Sequence, residues 1–106
     1  MQITLSIDDG SKEDIKIAKL CQKYGVKAVF YWPVDMYGLS IQQGWGSLSP
    51  KDEKRIADNF EIGSHTISHR YLTQISLKDA IDEITESKKM LQLKYKKPIS
   101  KFAYPR

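Results

Sequence analysis

Residues 3–10 read Ile3-Thr4-Leu5-Ser6-Ile7-Asp8-Asp9-Gly10. Apolar side chains stand at every second position, Ile3, Leu5 and Ile7, and the alternation breaks at Asp8-Asp9-Gly10. That pattern predicts a strand with one buried face running into a tight loop. Beyond the loop, Ser11 stands where a helix cap belongs, Glu13 and Asp14 fall in the first turn, and Gly25 marks an end. The helix between them, about three to four turns long, is expected to bury Ile17, Leu20, Cys21 and Tyr24. Lys27–Trp32 follows, holding the apolar run Ala28, Val29, Phe30 and Tyr31. The run is too short for a helix and rich in β-formers, so it predicts a second, buried strand. Strand, helix and strand in that order imply a parallel pair.

Further along, residues 33–48 show no clear period but contain Gly38, Gly44 and Gly46 and the aromatics Tyr37 and Trp45. They are expected to form a long irregular loop, a class that is often functional in compact domains. Ser49-Pro50 supplies a cap and a first-turn proline for a short helix over residues 51–58, and residues 60–63 suit a third strand. Ser76, with Asp79 three residues on, caps a longer helix ending before Pro98, with Leu77, Ala80, Ile81, Ile84 and Leu91 on its expected buried face. Residues 101–104 suit a fourth strand. The predicted order is βαβαβαβ, a parallel α/β fold with right-handed crossovers. An open sheet and the first part of a barrel both fit.

Composition narrows the classes. A chain of 106 residues, 41% hydrophobic and 28% charged, suits one small globular domain or part of a larger one. The net charge of +4 is scattered. Its densest cluster, Lys94, Lys96 and Lys97, suits the carboxyl end of a helix, so nucleic acid is not an expected partner. No apolar run reaches about 18 residues, so no membrane span is expected. Cys21 is the only cysteine, which rules out an internal disulfide. No leader-like segment opens the chain, and the expected location is cytoplasmic.

Chemistry concentrates at three predicted loops. His65 and His69, the only histidines, lie four residues apart in Ser64-His65-Thr66-Ile67-Ser68-His69. On a helical turn that spacing points two imidazoles the same way, as two ligands of one metal require, although each histidine alone equally suits a cap or a loop hydrogen bond. Asp8-Asp9-Gly10 is also a common turn sequence. However, the aspartates, the histidines and Tyr104 to Arg106 all fall at carboxyl ends of predicted strands, the edge where parallel α/β folds assemble active sites. One carboxylate with two imidazoles makes a three-ligand Zn²⁺ site open at a fourth position, and the other carboxylate remains as a general base. Trp32, Tyr37 and Trp45 offer faces that suit sugar rings, and equally suit a local core beneath a long loop.

Taken in order, these segments resemble the polysaccharide deacetylases of carbohydrate esterase family 4, through essentially the whole chain. Leu5-Ser6-Ile7-Asp8-Asp9-Gly10 is similar to the first family motif, His65-Thr66-Ile67-Ser68-His69 matches the second, and Phe102-Ala103-Tyr104-Pro105-Arg106 resembles the third. The resemblance implies the first part of an irregular (β/α) barrel, spanning residues 1–106 and incomplete at its carboxyl end. It implies Asp8 as catalytic base, Asp9, His65 and His69 as metal ligands, and Thr66 steadying the histidine loop. Tyr104, Pro105 and Arg106 would contribute to the oxyanion site. The metal would be Zn²⁺, with Co²⁺, Ni²⁺ or Mn²⁺ as occupants in preparation. The substrate would be an N-acetylated glycan. Two departures matter: Ala103 occupies a position where many members carry an arginine that orients the base, and the family's late, leaving-group-protonating histidine has no counterpart here. The chain alone is therefore expected to bind metal but turn over weakly, and its open sheet edge invites self-association. A related amide hydrolase of a small non-sugar substrate and a non-catalytic carbohydrate-binding remnant are the alternatives.

Overall fold

The computed structural model of the chain describes residues 2–105; Arg106, the end of the third motif, lies outside them. Three parallel strands form the sheet: β1 (Thr4–Asp8), β2 (Lys27–Trp32) and β3 (Glu61–Ser64), with β2 between the other two and paired to both.

 The central strand, β2, runs over Lys27–Trp32. The order β1-β2-β3 adds each strand beside the last, as a singly wound barrel does, and has none of the order reversal of an open doubly wound sheet. The fourth predicted strand is reduced to a single parallel bridge, Ser64 to Phe102, which extends the sheet past β3. Two backbone bonds hold it, from Ser64 N–H to Lys101 O (2.8 Å) and from Ala103 N–H to Ser64 O (2.9 Å).

Four helices pack around the sheet: α1 (Asp14–Tyr24), α2 (Met36–Gln43), α3 (Pro50–Asn59) and α4 (Leu77–Tyr95). The predicted irregular loop over 33–48 therefore contains a helix. Asp35 caps α2 by accepting from Gly38 N–H at 2.9 Å, and Gly44 ends it in the left-handed region. The missing apolar period hid it: α2 is a short, two-turn helix that buries only Met36, Leu39 and Ser40. Ser49 and Ser76 cap α3 and α4 as predicted. Ser11 instead lies two residues ahead of the α1 cap position and accepts from Glu13 N–H.

Alternate residues of β2, Ala28, Phe30 and Trp32, join Ala18, Cys21, Ile56, Ile62, Leu91 and Ile99 in the core. Phe30 packs edge-on against Phe60, their centroids 5.3 Å apart, and tilted against Trp32 at 5.9 Å. Several predicted core positions lie elsewhere. Ile3 and Leu5 are exposed because β1 is an edge strand, and only Ile7 packs against the core. Leu20 and Tyr24 of α1 are also exposed, since the helix turns Asp14, Ala18 and Cys21 inward. On α4, Leu77, Ile81 and Ile84 face outward while Glu83, Ser87 and Leu91, spaced by four, are buried. Periodicity located these helices but misassigned part of their faces, because buried polar residues stand where apolar ones were expected. No helix among the described residues is long and apolar enough to cross a membrane.

Candidate metal centre

The loops leaving β1 and β3 meet at the carboxyl edge of the sheet. Asp9 follows β1 directly, its N–H bonded to Tyr31 O at 3.1 Å, and adopts φ +81°. Gly10 continues at φ +79°, where an added Cβ would lie 2.5 Å from the Met36 sulfur, so the turn needs glycine both for its backbone and for α2 to approach. His65 follows β3, and its N–H bonds Trp32 O at 3.1 Å. Thr66 and His69 also have positive φ, +72° and +62°. Among the described residues the only other non-glycine with positive φ is Lys96, at the carboxyl cap of α4. Such conformations cost on the order of 1–3 kcal/mol each and cluster where surrounding structure imposes them for function.

The imposing contacts are visible. Thr66, fully buried, accepts from His69 N–H through its Oγ1 at 2.9 Å, closing the turn between the histidines. Glu83 reaches from α4 to the same loop, accepting from Ile67 N–H at 2.7 Å and, more distantly, Ser68 N–H at 3.3 Å, both through Oε2. Its Oε1 accepts from Ser68 Oγ at 2.8 Å. The loop after β2 is stitched on as well: Val34 N–H bonds Thr66 O and Asp35 N–H bonds Ile67 O.

Asp9 Oδ1 lies 3.0 Å from His65 Nε2 and 3.0 Å from His69 Nε2. The His65 Nδ1 lies 2.8 Å from Ala103 O, and because a carbonyl only accepts, Nδ1 must carry a proton. With Nδ1 carrying the proton of a neutral ring, Nε2 would aim its lone pair at the Asp9 carboxylate. Two lone pairs at that separation repel unless a proton or cation lies among them. Adjacent tetrahedral ligands on Zn²⁺, with bonds of about 2.0 Å, stand about 3.3 Å apart. Two imidazole nitrogens and one carboxylate oxygen, closing to within 4.8 Å of one another, therefore fit a divalent cation in both chemistry and spacing. The carbonyl that fixes the tautomer belongs to Ala103, so this part of the third motif acts through backbone whatever its side chain.

Other predicted site residues fall differently. Asp8, at the end of β1, is exposed. Tyr104 is exposed and Pro105 buried. Trp32 is a core residue: it is fully buried and its Nε1–H donates to Asp14 Oδ2 at 2.9 Å, so it has no face for a sugar. Tyr37 is 67% exposed on α2. Trp45 is half-buried, with its Nε1 buried and unpartnered among the described residues. Beside His69 opens a polar groove of about 360 Å³, lined in part by Gln42, Gln43, Arg70, Tyr71 and Gln74.

Two participants escaped the sequence reading. The sequence places Asp14 only in the first turn of a helix, yet it is buried, and burial raises its pKa to about 6 despite the Trp32 hydrogen bond, with Asp9 and Asp8 adding to the rise. Glu83 was absent from the expected buried face of α4. Its spacing of four and eight residues from Ser87 and Leu91 is the signal that would have placed it inward.

The solved structures similar to this chain include a Streptococcus pyogenes deacetylase, PplD, in complex with acetate. It is 25% identical with a TM-score of 0.77, the match covering 95% of this chain and 44% of that one. Peptidoglycan deacetylase PdaC from Bacillus subtilis matches at 22% identity and TM-score 0.74, covering 98% of this chain and 48% of that chain. A CE4 family pseudoenzyme from Bacillus anthracis matches at 20% identity and TM-score 0.76, covering 98% and 35%. The chain thus spans less than half the length of each of these structures. No curated protein sequence gives a significant match. The family model described as polysaccharide deacetylase matches residues 1–106, and the chain belongs to the polysaccharide deacetylase family.

Proposed function

We propose that this chain carries the base and metal-binding half of a metal-dependent deacetylase acting on N-acetylated glycans. The observation that carries the reading is the approach of Asp9 Oδ1 to both histidine Nε2 atoms while Ala103 O holds the His65 proton on Nδ1. A divalent cation held by Asp9, His65 and His69, Zn²⁺ by preference, would supply Lewis-acid polarisation of an acetyl carbonyl and acidify a water. Asp8, exposed and one residue before Asp9, is suited to take the proton of the attacking water. The polar groove beside His69 offers amides and an arginine for sugar hydroxyls and the acetamido group. Both histidines of the chain are occupied as ligands, so neither is free to protonate the departing amine. That loss is worth about 10²–10⁴-fold, and turnover by these 106 residues alone should be slow.

Acetate release from N-acetylglucosamine oligomers and from peptidoglycan, with Zn²⁺ or Co²⁺ and with chelator, tests the reading, alongside metal content by elemental analysis. About one metal per chain and slow, chelator-sensitive release that disappears in Asp8→Asn is expected. Bound metal with no release, even from a chain extended to the length of its relatives, would favour a non-catalytic glycan binder. Release only from small non-sugar amides would replace the substrate class.

A further inference from the structure

We infer that Glu83 is a positioning residue that presets the histidine loop for its cation. The inference rests on the metal-site reading above but begins from a separate observation, the side-chain traffic between α4 and that loop. Glu83 is 5% exposed, and a carboxylate so buried requires partners. Those it has are three donors of a single loop segment: Ile67 N–H, Ser68 N–H and Ser68 Oγ. They lie between His65 and His69, in the stretch whose residues at both ends, Thr66 and His69, have positive φ. A backbone bent that way leaves its amides pointing off the sheet, and Glu83 collects two of them.

Nothing else about α4 requires a carboxylate at this point. One turn further, Ser87 bonds Ser64 Oγ at 2.6 Å, and two turns further Leu91 packs in the core, so α4 approaches the loop through a graded face of acid, hydroxyl and alkyl. The neighbouring cation is loosely placed: Arg70 stands 3.8 Å from Glu83 and 3.8 Å from Asp79 and is half-exposed. The short, well-directed contacts of Glu83 are those to the loop. Thr66 sets the turn from within and Glu83 sets it from outside, which fixes the separation of the two imidazoles before any cation arrives. Groups that orient metal ligands typically change metal affinity by about 10–100-fold when removed.

The test uses Glu83→Ala, Glu83→Gln and, as a control for general loosening of α4, Leu91→Ala. Two readouts are taken on each: amide hydrogen exchange at Ile67 and Ser68 without metal, and Co²⁺ affinity with its visible absorption band. In Glu83→Ala, exchange at Ile67 should rise at least tenfold above that of core amides, Co²⁺ should bind about 10–100-fold more weakly, and the band should change shape. Glu83→Gln keeps an oxygen for Ile67 N–H and should recover most of the affinity, which also covers the case in which the alanine variant fails to fold. Leu91→Ala should lose thermal stability yet hold Co²⁺ within about threefold of the parent. Unchanged affinity in Glu83→Ala with raised exchange, or an equal loss in Leu91→Ala, overturns the inference. A parent chain that binds no metal sinks the metal-site reading instead. Glu83 is then judged on the exchange data alone, where unchanged protection at Ile67 in both Glu83 variants overturns the loop-setting role.

Discussion

The loops leaving β2 and β3 run side by side and are stitched by two backbone bonds, yet they are built on opposite principles. The loop after β2 is aromatic, glycine-rich and contains α2, whose Tyr37 and Ile41 are exposed. The histidine loop after β3 has no regular structure until its 3₁₀ turn at Leu72–Gln74, but His65 and Thr66 within it are buried, and the loop is hydrogen-bonded to β2 and the Ala103 segment through His65 and to α4 through Ile67 and Ser68. The aromatic loop looked like a binding surface, and its neighbour Trp32 turned out to be core. Regular structure and aromatic content are thus poorer guides to a site than buried polar groups whose partners converge on one turn.

The largest effect that would break this contrast is expected from His65→Ala. It removes a ligand and the group bonded to Ala103 O, and Co²⁺ affinity by titration should fall more than about 100-fold, beyond the 10–100-fold of an orienting group. Retained tight binding would place the cation elsewhere. Thr66→Val comes next: it leaves the His69 N–H buried without its acceptor, at about 1–3 kcal/mol by urea unfolding, while a comparable change at Tyr37 should cost little.

Asp14 sharpens the comparison on the β2 side. Its pKa in the folded chain, about 6, stands above the ordinary value of 3.8, so the folded state binds the extra proton between those pH values. Its protonation therefore favours folding at low pH, and that advantage is lost as pH rises from about 4 through about 6. Relative to Asp14→Asn, the parent should lose about 3 kcal/mol across this window, measured by urea unfolding at intervals of pH. A flat difference would show that Asp14 stays charged beneath Trp32. The smallest effect belongs to Tyr37→Ala, expected to change stability by less than about 0.5 kcal/mol; weakened glycan binding in that variant, read by titration with N-acetylglucosamine oligomers, would return α2 to the substrate surface.

Much of the architecture was legible because it depends on local periodicity and on caps. The alternation in β1, the β-forming run of β2, Ser49-Pro50 and Ser76 located their elements to within a residue or two. The histidine pair and the Asp8-Asp9-Gly10 turn marked the site because few residue types serve as metal ligands and their spacing is short. α2 escaped because a two-turn helix between an aspartate cap and Gly44 carries too little apolar period to be seen. The outward faces of α1 and α4 were misread because the period of a helix tells which residues share a face without telling which face meets the sheet.

What the sequence by itself determined is the parallel α/β class and the identity of the candidate ligands, both properties of residue type and spacing. Tertiary structure alone decided that Trp32 is core, that Ala103 contributes a carbonyl, and that Asp14 and Glu83 are buried. Each of these depends on segments 15 to 38 residues apart meeting at one point, and such meetings are set by how strands and helices pack, which no local pattern records.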